Sequence, residues 1–353
     1  MNRWPVIVLG GSGYVAGEML RLVAGHPRLE LAAAVSTSSP GAPIAAMFGH
    51  LRPAYAATRF TDIDSAERLL GTAPHTVLLS AAPHGASAPL IARFVAAAED
   101  AGSRLTVADA SADFRFADPQ VFEQVYGIAH PAPQLLADFV CAVPEHVRDV
   151  PGAAHAAHPG CFATTMLLGI VPLLAEGLAE PNVCVSAVTG STGAGRNPRA
   201  STHHPERQSN LFAYQALQHR HSPEVAALAL TASGTALNLH FVPHSGPFAR
   251  GIHATIFAPM RTRASVADVR DALDAWYAQA PLVDVLEALP RMKDVAGSCY
   301  AALGAAVDGD TIVVTSVLDN LLKGAASGAI QWLNRLLGLP ETTGLQQPAA
   351  GWI

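Results

Sequence analysis

The sequence predicts an α/β protein: a Rossmann-type, doubly wound parallel sheet, then a second α+β domain on a mixed or antiparallel sheet. Three observations predict it. Up to about residue 145, short apolar runs alternate with helical patterns, as successive β-α units do. A glycine loop follows the first of those runs directly. Beyond Pro159 the pattern changes to strand-like runs with helices set apart, the order of an α+β unit. A chain of 353 residues is also long for one hydrophobic core, so two domains are expected.

Taken in order, the expected strands of the first domain are Pro5 to Leu9, Leu31 to Ser36, Thr76 to Ser80, Leu105 to Asp109 and Phe139 to Val143. Each is a continuous apolar run, as in strands buried on both faces of a parallel sheet. Between the first two, Gly17 to Ala24 carries Met19, Leu20, Leu22 and Val23 and stops at Gly25-His26-Pro27, which reads as a helix and its terminator. Ala88 to Ala101 is the alanine-rich helix between the third and fourth strands. The second domain is expected to hold a helix at Thr164 to Leu174 and another at Val266 to Ala278. Its strands are expected at Val183 to Thr189, Leu239 to Val242, Ile252 to Pro259 and Thr311 to Val317. Gly190 to Ser222 lacks apolar periodicity, and a long irregular segment inside a compact domain is usually functional. Leu321 to Leu337 reads as an amphipathic helix returning to the first domain. The expected boundaries are therefore 1–157, 158–318 and 319–353.

Composition excludes several classes of function. Half the residues are apolar and 14% are charged, which suits a large buried core. The apolar runs are all broken before the about 18 residues that a membrane-spanning helix needs. No export signal precedes the glycine loop, so a cytoplasmic protein is expected. Four cysteines, Cys141, Cys161, Cys184 and Cys299, form no C-x-x-C pair, which gives neither a disulfide framework nor a zinc knuckle. With 22 basic against 28 acidic residues, net charge −6 and no basic block, nucleic acid is a poor partner. An anionic small molecule would then need arginines placed within motifs.

The loop Gly10-Gly11-Ser12-Gly13-Tyr14-Val15-Ala16 matches G-x-G-x-x-A from Gly11 to Ala16. Small residues let the chain turn tightly and let a pyrophosphate approach the amides of the following helix. Gly10, Gly11, Ser12, Gly13, Tyr14 and Val15 are thus candidate dinucleotide contacts. No Gly-Lys-Ser/Thr follows, which excludes a P-loop. The second strand ends in Ser36-Thr37-Ser38-Ser39, without the acidic residue that holds an NAD ribose. Ser36 and Thr37 would suit a 2′-phosphate, and NADP is the expected cofactor.

In His158-Pro159-Gly160-Cys161 a cysteine follows a Pro-Gly turn at the start of an apolar helix, where helix amides favour the thiolate. The other three cysteines sit in strand-like surroundings and read as structural. A thiolate nucleophile needs an acid/base partner, and two clusters offer one: His219-Arg220-His221-Ser222-Pro223-Glu224, and Pro243-His244 ahead of Arg250-Gly251. The first is preferred, with His221 or His219 as the acid/base, because Glu224 is near enough in sequence to orient a ring. His203-His204 and the two histidines of the preferred cluster lack the spacing of a metal site, so no metal is expected. Arg115, in Ser111-Ala112-Asp113-Phe114-Arg115, and Arg196, after Gly193-Ala194-Gly195, are candidates for capturing a phosphate or carboxylate. Cysteine, dinucleotide and arginines together point to an acyl phosphate reduced through a thioester. A thiol acyltransferase or hydrolase would leave the glycine loop without a task, and a dinucleotide sensor would leave the cysteine without one.

With these motifs the chain resembles the N-acetyl-gamma-glutamyl-phosphate reductases, relatives of aspartate-semialdehyde dehydrogenase. The resemblance covers nearly the whole chain. It rests on the glycine loop with Tyr14 and Glu18, Ala82-Pro83-His84-Gly85, Ser111 to Arg115, Pro159-Gly160-Cys161, Gly193 to Arg196, and His219 to Glu224. Pro243-His244 with Arg250-Gly251, and Asp319-Asn320-Leu321 with Lys323-Gly324-Ala325-Ala326, complete it. It implies NADPH-dependent reduction of N-acetyl-gamma-glutamyl phosphate to the semialdehyde in arginine biosynthesis, with Cys161 as nucleophile and a histidine of the 219–221 cluster as acid/base. It also implies Ser111, His244 and Arg250 near the substrate, Pro83, Asn320 and Lys323 near the cofactor, and a homodimer or tetramer. The chain departs from the family pattern at His158, where Asn is common, at Ala16-Gly17, and at Phe162-Ala163-Thr164, where Tyr-Pro-Thr is usual. Carrier-linked aminoadipyl-phosphate and N-succinylglutamyl-phosphate are the alternative substrates, since no motif reads the acyl group.

Overall fold

In the computed structural model, which describes residues 3–149 and 152–351, the chain divides into two compact units. The first comprises Met1–Cys141, Asp149–His158 and Ala325–Leu345; the second comprises Ala142–Arg148, Pro159–Gly324 and Gln346–Ile353. The divisions fall at 158/159 and 324/325, beside the expected 157/158 and 318/319. The excursion of residues 142–148 into the second unit was not expected.

The first unit is a six-stranded parallel sheet of β1 (Trp4–Leu9), β2 (Leu29–Ala34), β3 (His75–Ser80), β4 (Arg104–Asp109), β5 (Phe139–Cys141) and β6 (His155–Ala157), in the order β2-β1-β3-β4-β6-β5. Parallel neighbours need crossover connections, and helices Tyr14–Gly25 and Ser87–Asp100 supply two of them. β1, β3 and β4 carry the continuous apolar burial expected of a sheet covered on both faces. β2 begins two residues before its expected start because it enters the ladder where Trp4 pairs with Leu29. β6, unforeseen in the sequence, lies between β4 and β5. Helix Ser327–Leu336 lies in this unit against β4, β6 and helix Tyr14–Gly25. The helix expected over 321–337 thus begins instead with a π-helical turn, Leu322–Ala326.

The second unit is a seven-stranded mixed sheet: β7 (Asn182–Thr189), β8 (Phe212–Ala213), β9 (Asn238–Ser245), β10 (Ile252–Pro259), β11 (Val283–Leu286), β12 (Ala301–Asp308) and β13 (Thr311–Leu318). Their order is β11-β12-β13-β10-β7-β9-β8. β10 pairs antiparallel with β7 and β13, while β7 runs parallel to β9. One face is covered by helix Cys161–Ala175, nearly all of which is buried, with helices His221–Ser233 and Val266–Tyr277 packed beside it. The helix lies close to the sheet at Gly169, where an added Cβ would stand 2.4 Å from Ile256 Cδ1. Residues 190–222 are as irregular as expected, with short 3-10 turns, one short helix and β8. No helix of the described residues is long and apolar enough to cross a membrane.

Candidate active site

In the first unit the glycine loop is shaped by close backbone approaches. Gly10 has φ +72°, and a Cβ there would stand 2.5 Å from the carbonyl oxygen of Ala81, in the segment leaving β3. Gly11 donates its N–H to Val35 O at 2.7 Å, tying the loop to the end of β2. Helix Tyr14–Gly25 then starts from Gly13 with no capping side chain and no acid in its first turn. Its first amides therefore favour an anion. The third close approach is at Gly17, where a Cβ would meet the Phe48 ring at 2.8 Å, while Ala16 is simply buried. Pro83 is exposed in the segment that runs behind Gly10.

At the end of β2 the expectation for Ser36 needs correction. Ser36 is buried, and its hydroxyl accepts the N–H of Ser39 at 3.2 Å, so it closes the turn. The exposed hydroxyls are those of Thr37 and Ser38, and Ser38 Oγ lies 3.5 Å from Ser12 Oγ of the glycine loop. Farther along the same loop is a cation that sequence reading missed: Arg59 donates to Gly41 O at 2.8 Å, on a segment bridged to Pro43. It was illegible because the contact is made from outside the β-α unit. No acidic side chain occupies the turn, so the residues present fit a phosphorylated ribose.

Ser111 and Arg115 also depart from expectation. Ser111 is buried; its hydroxyl donates to Asp109 Oδ2 at 2.6 Å and accepts the N–H of Asp113 at 3.1 Å, so both its roles are used within the loop. Burial pushes the Asp109 carboxyl up to about 6, with nearby Asp113 adding to the effect. Arg115 is 6% exposed and donates to His158 O at 3.1 Å and Ala110 O at 2.9 Å. Its guanidinium fixes the backbone at the ends of β4 and β6 instead of reaching outward for a substrate anion.

In the second unit Cys161 is half-buried and is the first residue of helix Cys161–Ala175, whose N-cap, Gly160, provides no capping side chain. The amide of Gly160 has a partner from 64 residues away: Glu224 Oε1 accepts it at 2.7 Å, and the Glu224 side chain is fully buried. This bond ties the turn before Cys161 to Glu224, a backbone contact that sequence spacing did not show. On the other side of Cys161 lies Gly324, where an added Cβ would stand 2.7 Å from Cys161 Cβ and 3.0 Å from its Cα.

His219 and His221 flank this helix start. Their rings are 4.7 Å apart, edge to face, and the Phe162 ring lies 5.5 Å from that of His219 and 6.3 Å from that of His221. Desolvation, aided by the Arg220 charge, pushes His219 down to about 4, so it is neutral near pH 7. Its Nδ1 accepts the N–H of His221 at 3.2 Å, so a neutral ring carries its proton on Nε2. Tyr214, which the sequence reading passed over inside an irregular segment, lies edge-on to His219 with ring centroids 5.8 Å apart. Burial first, and the charge of Cys161 second, push its hydroxyl well above the usual range, which keeps it a donor.

Other expected residues are engaged elsewhere. Arg250 makes a two-point ion pair with buried Asp319, at 2.9 and 3.1 Å, which places it in the framework and not free for substrate. Asn320 accepts from Gly251 N–H at 2.7 Å and donates to Thr192 Oγ1 at 3.0 Å, so both ends of its amide are used inside this unit. Lys323, expected at the cofactor, has no exposed side-chain surface and pairs with Glu145, as a buried charge requires. His244 lies on β9, half-buried. Arg196 is exposed after Gly195, as anion capture needs.

The two units together define a class, the semialdehyde dehydrogenases. Residues 5–151 match the model of the semialdehyde dehydrogenase NAD binding domain and residues 161–320 that of the dimerisation domain. Solved structures of aspartate semialdehyde dehydrogenases share the fold. Aspartate semialdehyde dehydrogenase II from Vibrio cholerae, complexed with ASA, matches at TM-score 0.69 and 16% identity over 96% of this chain and 99% of that one. The enzyme from Candida albicans with NADP matches at TM-score 0.67 and 14% identity, over 96% and 99%. Sequence relatives narrow the class. The N-acetyl-gamma-glutamyl-phosphate reductases of Nitrosococcus oceani and Pseudomonas aeruginosa are each 38% identical over 348 residues, covering 97% of this chain and 98% of theirs. The chain belongs to the N-acetyl-gamma-glutamyl-phosphate reductase family.

Proposed function

We propose that the protein reduces N-acetyl-gamma-glutamyl phosphate to N-acetylglutamate 5-semialdehyde, with release of phosphate, in arginine biosynthesis. The observation that carries this reading is Cys161 at the head of an uncapped helix, in a chain related over nearly its full length to enzymes named for that reaction. Helix amides stabilise the thiolate, which attacks the acyl carbon and displaces phosphate, leaving a thioester on Sγ. The same amides face the oxygen that becomes negative in the tetrahedral intermediate. His221 is the acid/base residue, because His219 is held neutral with its proton on Nε2 and serves better as a hydrogen-bond donor. Arg196, exposed beside the Ser191–Ala194 turn, attracts the anionic substrate in a chain whose net charge does not.

A reduced nicotinamide dinucleotide, when bound, supplies the hydride that the thioester carbonyl needs. The chain would hold its pyrophosphate on the amides at Gly11 to Val15, and the hydroxyls of Thr37 and Ser38 with Arg59 favour NADPH over NADH. We take the assembly to be a homodimer or tetramer formed through the second unit, which matches a dimerisation domain. The four cysteines, none of them in a disulfide among the described residues, suit the reducing cytoplasm. The test is the reverse reaction, in which N-acetylglutamate semialdehyde, phosphate and NADP should yield NADPH. Equal or faster turnover of N-succinylglutamate or aspartate semialdehyde would overturn the substrate assignment.

A further inference from the structure

We propose that the buried Lys323–Glu145 ion pair positions the nucleophile, by holding the turn Leu322–Ala326 so that Gly324 seats the Cα and Cβ of Cys161. This rests on the reading of Cys161 as nucleophile. Both charged side chains have no exposed surface. A buried ion pair often adds little stability over apolar residues of the same volume, so its value is better sought in geometry.

The geometry has two anchored ends. At the front, Asp319 accepts the N–H groups of Leu321 and Leu322 on Oδ1, at 2.8 and 3.0 Å, while Arg250 grips the same carboxylate. Gly324 N–H then reaches back to Asp319 O at 3.0 Å, five residues earlier, the wide turn of a π-helix. At the rear, Lys323 is tied to Glu145. Gly324 directly follows these anchored residues, lies against Cys161, and leaves no room for a Cβ. A small shift of the turn is therefore felt by the nucleophile.

Glu145 belongs to the turn Pro144–His146, which is assigned to the second unit although the chain on either side of residues 142–148 belongs to the first. The next residue, His146, ties that turn to the nucleophile's own helix. Tyr277 donates its hydroxyl hydrogen to Leu168 O at 2.6 Å, so at its 3.0 Å contact with His146 Nε2 the phenol oxygen accepts and His146 donates. Residues 145 and 146 thus hold both the turn beneath Cys161 and the helix that bears it.

The test compares wild type with the double variant Lys323→Met/Glu145→Leu, which removes both charges and keeps apolar volume, and with Lys323→Arg, which keeps the charge in a different shape. Each is assayed for the pH dependence of Cys161 alkylation by iodoacetamide, for kcat and KM, for NADPH affinity and for thermal midpoint. The expected result is a changed alkylation profile and kcat lowered about tenfold to a hundredfold, with NADPH affinity within about twofold of wild type. Wild-type alkylation and kcat in the double variant, whatever its thermal midpoint, would overturn the proposal. Should that variant not fold, Lys323→Arg decides in the same way. Full turnover by Cys161→Ser would instead sink the nucleophile reading itself, so the two failures are distinguishable.

Discussion

Helix Tyr14–Gly25 in the first unit and helix Cys161–Ala175 in the second both follow a strand, both start from a glycine, and neither has a capping side chain. They differ in what holds the turn before them. At Gly10 to Gly13 the shape comes from absent side chains and short backbone bonds: Gly10 against Ala81, Gly11 to Val35, Gly13 N–H to Gly10 O at 3.0 Å. At Pro159-Gly160 it comes from distant side chains, with Glu224 on the Gly160 amide and Gly324 beneath Cys161. A loop that must cradle a large anion needs bare amides and tolerates no intruding groups. A nucleophile needs one atom in one place, and such precision comes from buried supports converging on it.

Four experiments would break or sharpen this comparison. The largest effect is expected from Cys161→Ser, which should lower kcat by at least about a thousandfold while leaving NADPH affinity within about twofold. A parallel loss of both in steady-state and binding assays would mean that the two helix starts are not separate in function. Next, Glu224→Ala should lower kcat about a hundredfold, and Glu224→Gln, which keeps an acceptor for the Gly160 amide, should retain most of that activity. Equal damage by the two, measured as kcat, would show that the charge matters and not the bond.

Gly10→Ala should weaken NADPH binding about tenfold or more and lower stability by about 1 to 3 kcal/mol, because a Cβ there meets the Ala81 carbonyl at positive φ. Titration calorimetry giving wild-type affinity would contradict the shape-based account of the first loop. The fourth experiment concerns acid stability. Desolvation pushes His146 down to about 4, whereas an unfolded histidine titrates near 6.5. Protons therefore bind the unfolded chain first as pH falls. The contribution of His146 is complete above about pH 6.5 and is lost progressively toward pH 4, by up to about 3 kcal/mol. His146→Gln should flatten that limb of the denaturation curve, and an unchanged limb would place His146 outside the buried network.

The same contrast explains how much was legible in the sequence. β1, β3 and β4 read as continuous apolar runs, and the glycine loop read as a motif because local residues make its geometry. Cys161 was legible from its Pro-Gly turn and the apolar helix after it. β12, Ala-Ala-Leu-Gly-Ala-Ala-Val-Asp, was missed because alanine and glycine carry little strand preference and the run does not alternate. Helix His221–Ser233 was missed because its opening residues were read only as a histidine cluster. Arg115, Asn320, Arg250 and Lys323 were recognised as special residues but given roles toward substrate or cofactor, and Glu224 was given the role of orienting a histidine ring. Polar side chains drawn into motifs here make mostly buried bonds to backbone or to each other, and those partners lie as far as 178 residues away. Sequence spacing reveals chemistry built from neighbours and is silent on supports that only the fold brings together.

The most direct test of the central claim is to trap the acyl-enzyme. Incubated with N-acetyl-gamma-glutamyl phosphate and no dinucleotide, the protein should release one phosphate per chain and carry the acyl group on the peptide containing Cys161, seen by mass spectrometry. Addition of NADPH should then discharge it as the semialdehyde. Turnover without any adduct at Cys161, or with the acyl group on another residue, would contradict the account.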